Sequence, residues 1–571
     1  MKNLEISAIF HEIADILEIK GDNPFRIRAY ERAAQNIEGL TEDIENYINK
    51  DRLMDIPGIG KDLADKITEY AKSGRMKAYE DLKKKVPAGL LDLLNIPSVG
   101  PKTAKLLYEK LKIKDVSGLE KAIKMNKLEG IFGIKDKTIE NILKGIKVLK
   151  RGRERMTLAQ AMQVADEFVS ALKKLSEVSR ISVAGSLRRQ KETVRDIDIL
   201  MISKKPKEIM DVFTGLPDVI NVLAKGETKA SVRTKDDVQV DCRVEEEKSF
   251  GAALLYFTGS KNFNIKIRQL AIKKGLKINE YGVFQKDKLW VCGRTEEEIF
   301  KILGMSYIEP ELREDTGEIE LAQEFQLPQL IELKDIKGDL HAHSKWSDGG
   351  NSIEEMAQAA RKRGYSYIAI TDHSESLKVA GGLSIAELKK KKQEIDKINR
   401  KLKGFRVLYG TEVDIDSEGS LDYKDGILKE FDVVVAAIHS GFKQSKSQLT
   451  RRLIRACYNK CVHIIAHPTG RLWGTRDAYD IDIDKVLKAA RDTNTHLEIN
   501  AFHQRLDLND LHCRRAKEIG AKLAIDTDAH TTEQLDTMRL GVSVARRGWL
   551  CKEDVINTLS LEELLRVLHN K

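Results

Sequence analysis

The 571-residue chain is too long for a single hydrophobic core, and its length predicts several domains. With 41% hydrophobic and 33% charged residues, and no apolar run near the ~20 residues a bilayer span requires, a helical membrane protein is excluded. Six cysteines without a CxxC pair exclude a disulfide scaffold, and the net charge of +9 permits a nucleic-acid partner without demanding one.

The first segment, MKNLEISAIFHEIADILEIKGDN, reads as an amphipathic helix with scattered acids and not as a signal peptide, so a cytoplasmic protein is expected. Three related segments follow: Ile56-Pro57-Gly58-Ile59-Gly60, Ile96-Pro97-Ser98-Val99-Gly100 and Ile131-Phe132-Gly133-Ile134-Lys135, each ahead of a helix-forming run. Such repeats have the look of helix-hairpin-helix units. Their glycines let the turn approach a DNA strand, while amides opening the next helix face phosphate oxygens. Only the first copy keeps both glycines, so the expected DNA contacts are Gly58, Gly60, Lys61, Val99, Gly100 and Lys102, and the third copy is read as degenerate. The plainer alternative is three helical corners with glycine caps.

Residues 181–200, ISVAGSLRRQKETVRDIDIL, predict a short strand, a tight turn at Gly185-Ser186, and a second strand over 195–202. On that strand Asp196 and Asp198 share one face while Ile197 and Ile199 enter the core. Hard divalent cations prefer such oxygen ligands, and the alternating run DDVQVDCRVEE offers Asp241 as a third carboxylate on a neighbouring strand. Arg188 and Arg189 add guanidinium donors suited to phosphate.

The segment GSLRRQKETVRDIDIL resembles the palm motif of the family X DNA polymerases, and LLYFTGSKNFNIKIRQLAIKKGLKINEYGVF, residues 254–284, is similar to their nucleotide-binding thumb. The resemblance runs over about residues 1–315. It implies that Asp196 and Asp198 bind two magnesium or manganese ions, that Asp241 holds the catalytic one, and that Gly185, Ser186 and Arg189 bind the triphosphate. It further implies that Tyr256, Phe257 and Gly259 line the sugar, and that Asn264 and Arg268 monitor the base pair. Lys66 matches the Schiff-base lysine of the family's lyase domain. Asp62, one turn earlier, stands where lyase-active relatives carry a lysine, so weak or absent lyase activity is expected. A monovalent cation at the hairpins is also expected.

Eleven of the twelve histidines lie in the last 236 residues, which predicts a second chemistry beyond a boundary near 316–336. His341, His343, His373, Glu412, His439, His467, Asp528 and His530 each end an apolar, strand-like run, with helical stretches between them. Ligands gathered at the C-terminal ends of alternating strands describe a βα barrel holding a metal site. The pattern resembles the polymerase and histidinol phosphatase (PHP) domain, a distorted barrel with a trinuclear manganese, zinc or iron centre. By that resemblance His341, His343, Glu412 and Asp528 hold one metal, Glu412, His439 and His467 a second, and Asp348, His373 and His530 a third, with Arg505 binding phosphate. Cys457, Cys461 and His463 offer a rival site, but without a second ligand pair they read better as a buried helical face.

The expected fold is therefore multidomain. It comprises a helical lyase-like region over 1–85, a fingers-like region over 86–150, an α+β nucleotidyltransferase palm over 151–245 and a thumb over 246–315. A linker over 316–335 and a PHP barrel over 336–571 complete it. The expected function is gap-filling repair synthesis by a monomer acting on gapped or primer-template DNA with deoxynucleoside triphosphates, joined to 3′-5′ exonuclease, 3′-end-processing or abasic-site cleavage. The alternatives are a phosphoesterase for a small metabolite such as histidinol phosphate, and a non-catalytic DNA-end binder.

Overall fold

The computed structural model describes the chain except residues 1, 39–43, 57, 97–98, 129–130, 132–133, 135–137, 140–141, 144, 147–154 and 286–288. It divides into two compact units, Met1–Arg153 with Leu472–Asp477, and Glu154–Arg471 with Ala478–Lys571. Among the described residues no helix is long and apolar enough to cross a membrane.

The first unit is helical. Ile6, Phe10, Ile13 and Leu17 recur at helical spacing on Lys2–Lys20 and are fully buried, with the Phe10 ring edge-on to Tyr30 of Pro24–Glu38 at 5.4 Å. Two later helices, Lys61–Ser73 and Pro101–Leu111, each begin directly after a glycine of the repeated motif. Most of the third motif lies outside the described residues.

The second unit opens with a five-stranded sheet ordered Val178–Val183, Asp196–Ser203, Gln239–Glu245, Lys229–Thr234, Val219–Lys225. Only its central pair, Asp196–Ser203 with Gln239–Glu245, runs parallel; the other pairs are antiparallel. Ile197 and Ile199 are fully buried, and the helices Leu158–Lys173 and Pro206–Thr214 add Phe168 and Phe213 to the same core with ring centroids 5.6 Å apart. Gly185-Ser186, expected as a tight turn, instead opens a short helix, Gly185–Arg188.

The thumb segment follows as helices Phe250–Thr258 and Lys261–Lys273 and an antiparallel sheet of three short strands between Leu276 and Cys292. The segment read as a linker is ordered into this core. Glu318 accepts the amides of Asp315 and Thr316, both at 2.7 Å, while Ile319, Ala322 and Leu330 pack among the thumb's apolar residues. An acid within the span expected as a linker is thus buried, with its oxygens satisfied by backbone donors.

The last part is a sheet of seven parallel strands in chain order, from Gly338–Ala342 through Arg406–Asp414 to Leu523–Asp526. A parallel bridge between Ala342 and Ala529 brings its two edges together, giving a nearly closed barrel. Leu340, Tyr367, Val435, Ile464 and Ala524 pack with Leu564 and Leu568 of the final helix, Leu561–His569. Cys457 and Cys461 are buried, and the His463 ring accepts the Val434 amide at 2.9 Å, which leaves that trio as core.

Candidate active sites

In the palm, Asp198 lies in register with Asp241 on the neighbouring parallel strand, and Asp196 is two residues away on the same face. The three carboxylates are turned toward different partners. Asp196 faces Arg195 at 3.2 Å, whereas Asp241 accepts from Ser231 and, at 3.0 Å, from Gln239. Asp198 lies against Gly185, whose backbone is left-handed at φ +62° and whose missing side chain leaves the space that an Asp198 oxygen occupies. Burial, followed by repulsion from Asp196 and Asp241, pushes the Asp198 carboxyl up to about 7. Three mutually repelling carboxylates on one face are a donor set suited to hard divalent cations.

Around this face, Ser186 lies in the short helix that Gly185 opens. Arg189 bonds the Thr258 carbonyl and pairs with Glu314 at 3.1 Å, so it is already engaged by the protein. Arg188, read alongside Arg189 as a guanidinium suited to phosphate, is engaged within the protein. It pairs at 2.6 Å with Glu296, which also binds Arg313. Burial alone would raise Glu296, but Arg313 and Arg188 outweigh it and hold the carboxyl down at about 2. Tyr256 and Phe257 meet edge to face at 5.1 Å, with the Arg243 guanidinium 4.4 Å from the Phe257 ring. Gly259 is left-handed at φ +70°, and Asn264 donates to the Tyr256 carbonyl at 2.7 Å. Arg268 donates to the Asn264 carbonyl at 3.2 Å and lines one small cleft with Tyr256 and Asn264.

In the barrel, His341, His343, Glu412 and Asp528 converge, with His343 Nε2 lying 3.2 Å from Asp528 and 3.5 Å from Glu412. The other Glu412 oxygen faces His439 at 3.3 Å and His467 at 3.1 Å. At the more exposed rim, Asp348 lies 3.5 Å from His373 and 3.4 Å from His530. His343 Nδ1 and His467 Nδ1 are buried without a hydrogen bond, where buried polar atoms ordinarily find partners, and His373 Nδ1 meets Glu412 Oε2 at 2.9 Å. Burial and the neighbouring His530 and His373 pull the His343 imidazole down to about 4; burial and Arg505 pull His467 down to about 3. Burial would lower His373 as well, but Glu412 and Asp348 outweigh it and raise that imidazole to about 10, and nitrogen and oxygen donors gathered this closely fit bound transition-metal ions. Arg505 lies 3.5 Å from Asp528 and keeps a buried Nη1 without a partner, as a phosphate donor requires.

Sequence reasoning missed the groups behind these side chains. Glu498 bonds His341 Nδ1 at 2.6 Å and the His467 amide at 2.6 Å, and Asp414 bonds His439 Nδ1 at 3.2 Å. The available signal was an acid within the strand-like run HLEIN, two residues before Asn500.

At the hairpins, Gly60 and Gly100 adopt nearly identical extended backbones, φ −91° and ψ 175° against φ −89° and ψ 176°, and neither following helix has a side-chain cap. A side chain at either glycine would meet nothing within 4 Å, so internal packing does not explain them. Lys61 and Lys102 are exposed, while Val99 is buried and could offer only its main chain. Lys66 is ion-paired with Asp62.

A DNA polymerase/3′-5′ exonuclease PolX of Bacillus subtilis is 42% identical over 567 residues, which is 99% of this chain and 99% of that relative. The chain belongs to the PHP-containing family X DNA polymerases. Its family X character extends to DNA polymerase lambda of Rattus norvegicus, 25% identical over 343 residues, covering 55% of this chain and 56% of the relative. A protein named probable phosphatase from Thermoanaerobacter sp. (strain X514) is 32% identical over 232 residues, 38% of this family X chain and 89% of that relative. Family descriptions match in parts: a helix-hairpin-helix domain over 1–76, a SAM-like helix-hairpin-helix tandem over 90–147, the DNA polymerase beta thumb over 253–314 and a PHP domain over 339–502.

Proposed function

We propose that this protein is a DNA-directed DNA polymerase that fills short gaps during repair, and that its PHP barrel processes 3′ ends as a 3′-5′ exonuclease. The observation that carries the polymerase reading is the registered pair Asp198 and Asp241 against Gly185. In this reading Asp196 and Asp198 hold two divalent cations and Asp241 holds one of them. Magnesium or manganese, when bound there, supplies charge neutralisation and eases ionisation of the primer 3′-hydroxyl. That oxygen forms the new ester bond at the α-phosphorus, and pyrophosphate departs. Gly185 and Ser186 receive the triphosphate, with Arg189 reaching it on release from Glu314. Tyr256, Phe257 and Gly259 hold the sugar, and Asn264 and Arg268 face the base pair. Gly58, Gly60, Lys61, Gly100 and Lys102, with the Val99 main chain, grip the DNA backbone without reading sequence.

In the barrel, His341, His343, Glu412 and Asp528 hold one ion, Glu412, His439 and His467 a second, and Asp348, His373 and His530 a third, with Arg505 on the scissile phosphate. Lys66, tied to Asp62, is given no lyase role. The domain limits are then 1–85, 86–150, 151–245 and 336–571, with the thumb running from 246 through the segment 316–335 that packs on it, in a monomer working in the cytoplasm, where its DNA substrate is.

Purified protein given a duplex with a short gap, deoxynucleotides and magnesium is expected to extend the primer and to stop when excess chelator is added. A protein that never extends a primer overturns the polymerase reading. Glu498 fixes the tautomer of one barrel ligand and the backbone of another. Glu498→Gln is therefore expected to weaken metal loading of the barrel by about 10- to 100-fold, read by equilibrium dialysis and elemental analysis. Unchanged metal content would remove Glu498 from this role.

A further inference from the structure

The palm segment between the triphosphate turn and the carboxylate strand is held from outside by the barrel. Arg547 donates to the Arg189 carbonyl at 2.8 Å, Ser543 to the Gln190 side chain at 2.9 Å, and Arg471 to the Glu192 carboxylate at 2.6 Å. The Glu192 bond is the one in which both partners are charged, and it joins side chains 14% and 32% exposed, so water screens it less than a surface pair. Glu192 is in turn fixed to the palm, because its carbonyl accepts the Leu158 amide at 3.0 Å, and the Lys191 amide closes back on Ser186 at 3.0 Å.

Arg471 is anchored at its other end to the barrel centre. It bonds the carbonyls of Arg505, at 2.7 Å, and Leu506. Asp507 accepts the amides of Thr469 and Gly470, both at 2.9 Å, in the loop leaving His467. One guanidinium thus spans from the loop of a barrel ligand to the segment that follows the short helix carrying Ser186.

We propose that Arg471 is a positioning residue for nucleotide binding in the palm, acting through Glu192. This rests on the polymerase reading, and its consequence is that the barrel helps set the affinity of the polymerase site. Glu192→Gln removes the charge but leaves Arg471 its carbonyl bonds, so barrel geometry is kept. On gapped DNA, Glu192→Gln is expected to raise KM for the deoxynucleotide by about tenfold while kcat stays within about twofold and 3′ resection is unchanged. Arg471→Lys, which keeps a cation and a donor facing Glu192, should restore part of what Arg471→Ala loses.

Amide hydrogen exchange over residues 185–192 supplies a readout independent of catalysis, and it should accelerate by about tenfold in Glu192→Gln. Wild-type KM together with wild-type exchange in that variant overturns the proposal. Faster exchange in a full-length protein whose wild type never extends a primer would uphold the strut and overturn the polymerase reading instead. Loss of kcat and of resection together would mark the pair as merely structural and also overturn it.

Discussion

Asp198→Asn is expected to reduce primer extension by about a thousandfold or more, with deoxynucleotide KM changed by only a few-fold. The two side chains have the same shape, so the substituted carboxamide still fills the space beside Gly185, and the Ala184 amide still reaches the carbonyl of residue 198 at 2.8 Å. What is lost is the charge central to the cation-binding face. The same substitution makes a second, opposite prediction for stability. With the folded carboxyl raised to about 7 and the unfolded one near its ordinary value of 3.8, the metal-free fold loses stability as pH rises through that interval. A carboxamide does not titrate, so the melting temperature of the metal-free variant should exceed that of wild type by a margin that grows from about pH 4 to about pH 7 and then levels off. Added divalent cation should reverse the order, because only the wild type gains a full ligand set. A variant that extends primers normally, or a stability difference that is flat with pH, would remove Asp198 from the centre of the site.

The features legible in the sequence were those that short periods encode. Asp196 and Asp198 alternate with buried isoleucines, so the strand and its two faces could be read from eight residues, and the register then brought Asp241 alongside. The barrel ligands other than Asp348 were legible for a similar reason, since they lie near the C-terminal ends of strands that are all parallel. Contacts between distant segments left no such trace. Arg188 looks like a phosphate ligand beside Arg189 until Glu296, 108 residues later, claims it. Glu192 and Arg471, 279 residues apart, are each unremarkable in their own surroundings. Glu318 fell in the span expected as a linker because sequence does not reveal which backbone amides will lack partners. Glu498 was hidden by its setting, an acid inside an apolar strand whose partner imidazole lies 157 residues away.

Glu412→Gln should abolish 3′ resection in manganese, by more than about a hundredfold, while gap filling remains within about threefold of wild type. One Glu412 oxygen serves His439 and His467 and the other serves His341, His343 and His373, so a single charge stands between separate groups of ligands. Burial would raise its carboxyl, yet the facing His373, His341 and His439 hold it well below the usual carboxylate range. An amide of the same size keeps the packing, since Glu412 is 1% exposed and tightly enclosed, but cannot neutralise cations on two sides. Metal content should fall with activity, which separates loss of the centre from loss of DNA binding. Gap filling should survive because the bonds between Arg471, Arg547 and the palm do not involve Glu412. Resection that persists in a Glu412→Gln protein depleted of barrel metal would mean that the nuclease activity resides elsewhere on the chain, and parallel loss of extension would mean that the two centres cannot be separated.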